Sequence, residues 1–416
     1  MRFHLKRFVL AVICVFGFVG VFHPLLNENV RRTVGEEQWQ PRGVELSFET
    51  LAVATRKPEN LTARPPAAPK STKTYTVPDV ASWSVNDSLR QWLPDARNTL
   101  PNYFTMRDDF RADDPRYKEG ALVYSHLNKA AGTTTKRCLR MISSKTVRSL
   151  GPVMDSSGRS NMQVRLARDK NRYKILMGGY AFGICDFMTN STCSYFTILR
   201  DPYERVISSY TYCRRAGMDQ TCRALGPWDA SLKEWAIHQG SYFFRQLLLK
   251  PWFCTANSRG NARYGDLSGV PHSPGASFNS APCWFKEKVI LKQSLSESDM
   301  DLLLRYSVGH LEDWFSMIGI TDEYDLSLAM LERVYDLPFR KTCSGDKSNT
   351  SDYKNLSENK RNTSDTTLPD MVSQLKAELQ ADPEVRAALH ADIALYDKAL
   401  DIFAREKRIF LDNLET

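Results

Sequence analysis

Hydrophobic positions are spread unevenly along the 416 residues, and their spacing divides the chain into stretches of different character. Residues Phe8 to Phe22 form an unbroken run of apolar or Gly residues, preceded by Arg2, Lys6 and Arg7 and followed by His23, Pro24, Leu25 and Leu26. Counted to Leu26, the run just reaches the length that crosses a bilayer. No clear small-x-small cleavage site follows it, so it predicts an uncleaved anchor over residues 8–26 rather than a signal peptide. From about Asn27 to Leu100 there is little sustained periodicity, and the passage RKPENLTARPPAAPKSTKTYTVPD is rich in Pro, Lys and Thr. Such a stretch buries little surface and reads as a stem, assigned to residues 27–102.

Regular alternation begins near Tyr103. ALVYSHL, Ala121 to Leu127, predicts a strand that runs into a small-residue turn and a helix over Thr133 to Ser143. YKILMGGYAF is a second apolar run. CSYFTILR predicts a strand ending at Arg200, because Asp201 and Pro202 suit the N-cap and first position of a following helix. Helical spacing from Leu232 to Leu249 breaks at Gly240, and a Gly, Ser and Pro-rich excursion from Thr255 to Pro282 is bracketed by Cys254 and Cys283. A helix over Ser298 to Tyr306, a strand in WFSMIGIT and a helix over Glu323 to Leu337 come next. Residues 342–368 are polar, and helical spacing resumes from Pro369 to Leu414 with a break at Pro383. No solenoid-type repeat is visible. Strands alternating with helices predict an α/β fold with a mostly parallel central sheet flanked by helices, in a domain spanning residues 103–416.

Composition narrows the compartment and the partners. With 42% hydrophobic and 25% charged residues the chain is globular, which excludes a wholly disordered or fibrous protein. Lys and Arg number 56 against 48 Asp and Glu, and the net charge of +8 favours anionic sugars or nucleotides without approaching a dedicated nucleic-acid binder. Basic residues before the apolar run and Glu28, Glu36 and Glu37 after it predict a cytosolic tail over residues 1–7 and a luminal remainder. The short, Phe-rich span suits the thinner bilayers of the secretory pathway. Glycosylation acceptors at Asn60, Asn86, Asn190, Asn349, Asn355 and Asn362 agree, the last three crowding the polar stretch. Of nine cysteines, Cys14 lies in the apolar run and eight remain for an oxidising lumen. No Cys-x-x-Cys pair suggests zinc, and no metal ligand cluster is visible. By proximity Cys185 pairs with Cys193 and Cys213 with Cys222.

Two segments carry chemistry. In SHLNKAAGTTTKRCL, Lys129 sits in a turn after a strand, Gly132 permits close backbone approach, and Thr133, Thr134 and Thr135 open a helix. Exposed N–H groups and the helix dipole favour an anion there, the hydroxyls can donate to it, and Lys129 adds a mobile charge. Lys129 precedes Gly132, so the segment is not a Walker A loop, and a kinase or ATPase is disfavoured. In ILRDPYERVISSY, Arg200 stands at a strand end and Ser208 lies in the next helix, and arginine suits bidentate phosphate binding.

In this order the two segments resemble the cofactor-binding signatures of the Golgi-type membrane-bound carbohydrate sulfotransferases, which use 3'-phosphoadenosine 5'-phosphosulfate (PAPS). The resemblance implies a P-loop-NTPase-like sheet and no metal. It also places Lys129 and the segment Ala130, Ala131, Gly132, Thr133, Thr134 and Thr135 at the 5'-phosphosulfate, with Arg200 and Ser208 at the 3'-phosphate. It covers residues 118–412 and leans towards the heparan sulfate 2-O- and uronyl 2-O-sulfotransferases through PWFC with CWF, IGITDEYDLSLAMLE and GDKS. It further implies a Cys254–Cys283 pair, which leaves Cys138 for Cys343, a cofactor or acceptor role for Lys347 in GDKS, and a single-pass type II protein of the Golgi membrane. The expected partners are an anionic glycan acceptor and the membrane, with a homo-oligomer compatible and nucleic acid not expected. Those enzymes carry a base His after the second strand, where LMGGYAFGICDF has Gly179 and Tyr180 instead. His126, Asp186 and Tyr180 are the base candidates that remain, His126 having the most suitable ordinary pKa. A tyrosine or small-molecule sulfotransferase and a non-catalytic luminal glycan-binding protein are the alternatives.

Overall fold

The computed structural model describes residues 87–109, 113–155, 162–166, 172–188, 192–216, 222, 230–248, 283–343 and 368–414. The expected anchor over residues 8–26, most of the stem, all six sequon asparagines, the 255–282 excursion with Cys254, and residues 344–367 with Lys347 lie outside them. Among the described residues no helix is long and apolar enough to cross a membrane.

Five strands form one parallel sheet in the order β2-β3-β1-β4-β5: β1 is Ala121–Ser125, β2 Leu150–Val153, β3 Ile175–Gly178, β4 Cys193–Leu199 and β5 Met317–Ile320. Every residue of β1, β3, β4 and β5 is buried, the signature of strands covered on both faces. The first predicted strand ends two residues early, because His126 leaves the ladder after donating its N–H to Gly178 O at 3.0 Å. The short strand β2 was not anticipated, its LGPV sequence holding a Gly and a Pro that carry no strand signal.

After the short α1 (Asp87–Arg90) and α2 (Pro115–Glu119), the helices fall into two sets. In one, α3 (Gly132–Lys145), α10 (Tyr324–Tyr335) and α11 (Phe339–Cys343) pack together, α3 against β3 and α10 against β5. The other comprises α4 (Pro202–Cys213), α5 (Leu232–Gln239), α6 (Tyr242–Leu248), α7 (Cys283–Ser294), α8 (Glu297–Gly309), α9 (Leu311–Trp314), α12 (Leu368–Ala381) and α13 (Pro383–Asp412). In that set α13 runs past α5, α6 and α8 and reaches β5. Local sequence explains the ends. Asp201 accepts N–H bonds from Tyr203 and Glu204 ahead of Pro202, Asp382 does the same ahead of Pro383, and Gly240 ends α5 at φ +53°. The core starts earlier than Tyr103: Leu89, Trp92 and Leu100 are already buried in it. Disulfides join Cys138 to Cys343, Cys185 to Cys193 and Cys213 to Cys222, and Cys283 is also oxidised.

Candidate functional site

In this strand order the chain leaves β1 towards one side of the sheet and later returns to β4 on the other. The carboxyl ends of β1 and β4 therefore flank the switch point, where open α/β sheets bind ligands. Both motif segments begin there. Residues 126–131 connect β1 to α3, and Lys129 and Ala131 adopt left-handed backbone at φ +67° and +55°. Non-Gly residues there cost of order 1 kcal/mol each, and strain of this kind clusters at functional sites. No side chain caps α3, whose first intrahelical bond runs from Thr135 N–H to Ala131 O at 3.0 Å. The N–H groups of Gly132, Thr133 and Thr134 thus have no acceptor within the helix and face the end of the central strand.

Surrounding groups fix this loop. Asn128 Nδ2 donates to Tyr242 Oη at 3.0 Å, Gln246 Nε2 donates to Gly179 O at 3.0 Å and His126 O at 3.5 Å, and Lys129 Nζ stands 4.1 Å above the Tyr212 ring. Thr133 is exposed. Thr134 is buried, and the buried Thr135 hydroxyl is committed to Ala131 O and Tyr324 Oη at 3.1 Å each. Gly132 has a reason other than ligand approach: a methyl group on it would overlap the His126 imidazole. His126 is therefore wedged behind the first turn of α3. Burial, with Lys136 and Lys129 nearby, pushes its pKa down to about 3, which makes it a weak proton acceptor.

Across the switch, Arg200 leaves β4 with its Nη2 3.4 Å from Glu204 Oε2, and Lys376 of α12 bridges Asp201 and Glu204 at 2.9 and 3.0 Å. Arg200 lines one small cleft with Leu127, Leu199 and Arg205, so the loop after β1 and the turn after β4 share a space. Ser208 is buried within α4, two turns in. Asp186 accepts the backbone N–H groups of Asp95 and Ala96 at 3.0 and 3.1 Å, a structural task on an exposed turn.

Beside the loop lies a buried ionic cluster that the sequence reading missed. Arg205 Nη2 is 3.7 Å from Asp392 Oδ2, and the Asp392 carboxylate also accepts the Phe243 and Phe244 N–H groups at 3.1 and 2.9 Å. Arg205 and Arg245 stand 5.5 and 5.6 Å from the Tyr242 ring centre. Glu287 of α7 is fully buried; burial, offset by Arg245 and a hydrogen bond from Tyr180, pushes its carboxyl up to about 7. Burial and the Glu287 charge hold the Tyr180 phenol well above its ordinary range. The missed signal was a carboxylate on an apolar helical stripe, Glu287 between Trp284, Phe285, Val289 and Ile290. Among the described residues no group of His, Cys, Asp and Glu could hold a metal ion.

The chain matches no curated protein. Residues 114–228, which contain the loop after β1 and the turn after β4, match the model of the sulfotransferase family, and this match supports a sulfotransferase domain around the switch point.

Proposed function

We propose that the protein moves a sulfuryl group from PAPS to a hydroxyl of an anionic glycan, a glycosaminoglycan in the manner of the heparan sulfate 2-O-sulfotransferases. The observation that carries this reading is the uncapped first turn of α3, with Lys129 in a left-handed loop before it and Arg200 across the switch point. The match of residues 114–228 to the sulfotransferase family agrees with it. The three disulfides among the described residues, with the oxidised Cys283, favour an oxidising compartment, and with the apolar run over residues 8–26 they support a type II protein of the Golgi membrane.

PAPS, when bound, supplies an activated sulfuryl group on a phosphate leaving group. The donor set fits it: the Gly132, Thr133 and Thr134 N–H groups and the α3 dipole hold the 5'-phosphate, and the exposed Thr133 hydroxyl adds a donor. Lys129 neutralises charge that develops on the leaving oxygen, leaving the Tyr212 ring to do so. Arg200 takes the 3'-phosphate, exchanging part of its contact with Glu204. The net charge of +8 favours an anionic acceptor.

The test is transfer of labelled sulfate from PAPS by the purified protein to desulfated glycosaminoglycans, other glycans and tyrosine peptides, with Lys129→Ala alongside. Lys129-dependent label on a glycosaminoglycan is expected. Label on tyrosine peptides alone would reassign the acceptor, and tight binding of the desulfated product, 3'-phosphoadenosine 5'-phosphate (PAP), with no label anywhere would make this a glycan-binding protein.

A further inference from the structure

A sugar hydroxyl attacking sulfur must lose its proton, and the groups assigned so far are cations, N–H donors and the donating hydroxyl of Thr133. His126 is buried behind Gly132 and weakly basic. Glu406 is also a buried carboxylate, but it accepts from Asn102 Nδ2 and Ile318 N–H within the core. Glu287 differs. Oε2 of both carboxylates has no hydrogen-bond partner among the described residues, but only the Glu287 carboxylate accepts from a tyrosine hydroxyl, that of the partly exposed Tyr180. Tyr180 lies two residues beyond the end of β3, the strand beside β1. Gln246 ties the preceding Gly179 carbonyl to the His126 carbonyl at the root of the Lys129 loop. Tyr180 therefore stands at the same end of the sheet as the anion-binding turn.

We propose that Tyr180 receives the acceptor proton and passes its own to Glu287, so that the two act as one proton relay for the transfer reaction. The inference rests on the sulfotransferase reading above. In the step, the acceptor oxygen forms a bond to sulfur, and the bond from sulfur to the 5'-phosphate oxygen breaks with its electron pair leaving on that oxygen. The acceptor proton moves to Tyr180 Oη while the Tyr180 proton moves to a Glu287 oxygen. The phenol alone is too weak a base, since burial and the Glu287 charge both hold its proton; the transfer works only when both protons move together. A carboxylate pushed up to about 7 is suited to accept one near neutral pH. Its neighbours define the titration: Tyr180 from the loop after β3, with Tyr242 beside that phenol, Arg245 from α6, and on its own helix the oxidised Cys283, whose Sγ lies 3.9 Å from Glu287 Oε1. Arg245 and the Tyr180 hydrogen bond oppose the burial effect.

The experiment measures PAP binding calorimetrically and the pH profile of sulfate transfer to the best glycan acceptor, for wild type, Tyr180→Phe, Glu287→Gln and Glu287→Asp. Both Tyr180→Phe and Glu287→Gln should bind PAP as wild type does yet lose at least about 100-fold in kcat. The wild-type rate should fall as pH drops through about 7, where Glu287 becomes protonated, and both variants should lose that acidic limb. Glu287→Asp should recover part of the rate. Merely structural roles would lower rate and stability together and leave the pH profile unchanged in shape. Wild-type kcat in Tyr180→Phe, or an acidic limb that persists in it, overturns the relay even if Glu287→Gln does not fold. Wild-type protein that binds no PAP removes the sulfotransferase reading itself, and the relay with it.

Discussion

Replacing Gly132 by Ala tests whether the loop and His126 form one packed unit. The new methyl would overlap Nε2 and Cδ2 of His126 and stand 2.9 Å from Cε1, all closer than the 3.0 Å that Cβ atoms essentially never cross. An ordinary Gly to Ala change inside a helix gains up to about 1 kcal/mol of helix propensity. Here the ring must swing away from a site where it is 8% exposed, and forced overpacking of this kind costs about 1–3 kcal/mol. The clash wins, so Gly132→Ala should be destabilised by about 1 to 2 kcal/mol and should bind PAP more weakly, because the displaced ring pushes on the turn that carries Lys129. Removing the ring reverses the sign: in a His126→Ala background the same change should be neutral or stabilising by up to about 1 kcal/mol. Urea unfolding of the four proteins of this cycle gives the coupling directly, and calorimetry with PAP gives the functional counterpart. Additive effects, or a Gly132→Ala protein with wild-type stability and PAP affinity, would refute the packing argument.

Two further outcomes follow from single residues. Lys129→Gly should leave stability within about 1 kcal/mol of wild type, since relief of the left-handed backbone at φ +67° offsets loss of the contact with Tyr212, yet transfer should fall at least about 100-fold; a large loss of stability in urea would show that the backbone there is not strained. Burial pushes Glu406 up to about 8 from an ordinary 4.5, so the folded state holds a proton that the unfolded state releases, and this contribution to stability is lost as pH rises through that window. Glu406→Gln should therefore shrink the drop in urea midpoint between pH 5 and pH 8, and an unchanged drop would mean that Glu406 is ionised in the fold.

Much of the sheet was legible because its interior strands are short apolar runs ended by strong punctuation. ALVYS stops at a polar turn, and CSYFTIL stops at an Asp-Pro pair that caps the next helix. The break of α5 from α6 at Gly240 and the restart at Pro383 were readable for the same reason. Residues Leu89 to Leu100 were read as stem because three buried side chains spread over a dozen residues produce no period, and only the tertiary core reveals them. At the site, the placement of Lys129 and Arg200 followed from strand ends, which sequence marks well. The roles of Gly132, His126 and Thr135 did not, since they depend on what fills the space behind the turn: an imidazole against Gly132, and Tyr324 against the Thr135 hydroxyl. Glu287 was missed because a helix with Trp284, Phe285, Val289 and Ile290 reads as core, and a single carboxylate within it gives no sign of the tyrosine it faces.

The turn after β1 makes physical sense only as part of a larger frame. Two departures into left-handed backbone within three residues, by Lys129 and Ala131, would relax in an isolated peptide, so neighbouring elements must hold them. Asn128 is tied to Tyr242 of α6, His126 to Gly178 of β3, the His126 carbonyl to Gln246 of α6, and Lys129 to Tyr212 of α4. The helix that follows is fastened at Thr135 to α10 and at Cys138 to Cys343 of α11. Tyr242 is itself flanked by Arg205 and Arg245, and Arg205 pairs with Asp392 of α13. The buried charges therefore sit where an apolar core would have been simpler, and they fix the orientation of α6 relative to the loop. On this account the cluster contributes less to net stability than to the direction in which the first N–H groups of α3 and the Lys129 ammonium point. That direction is what a phosphosulfate would recognise.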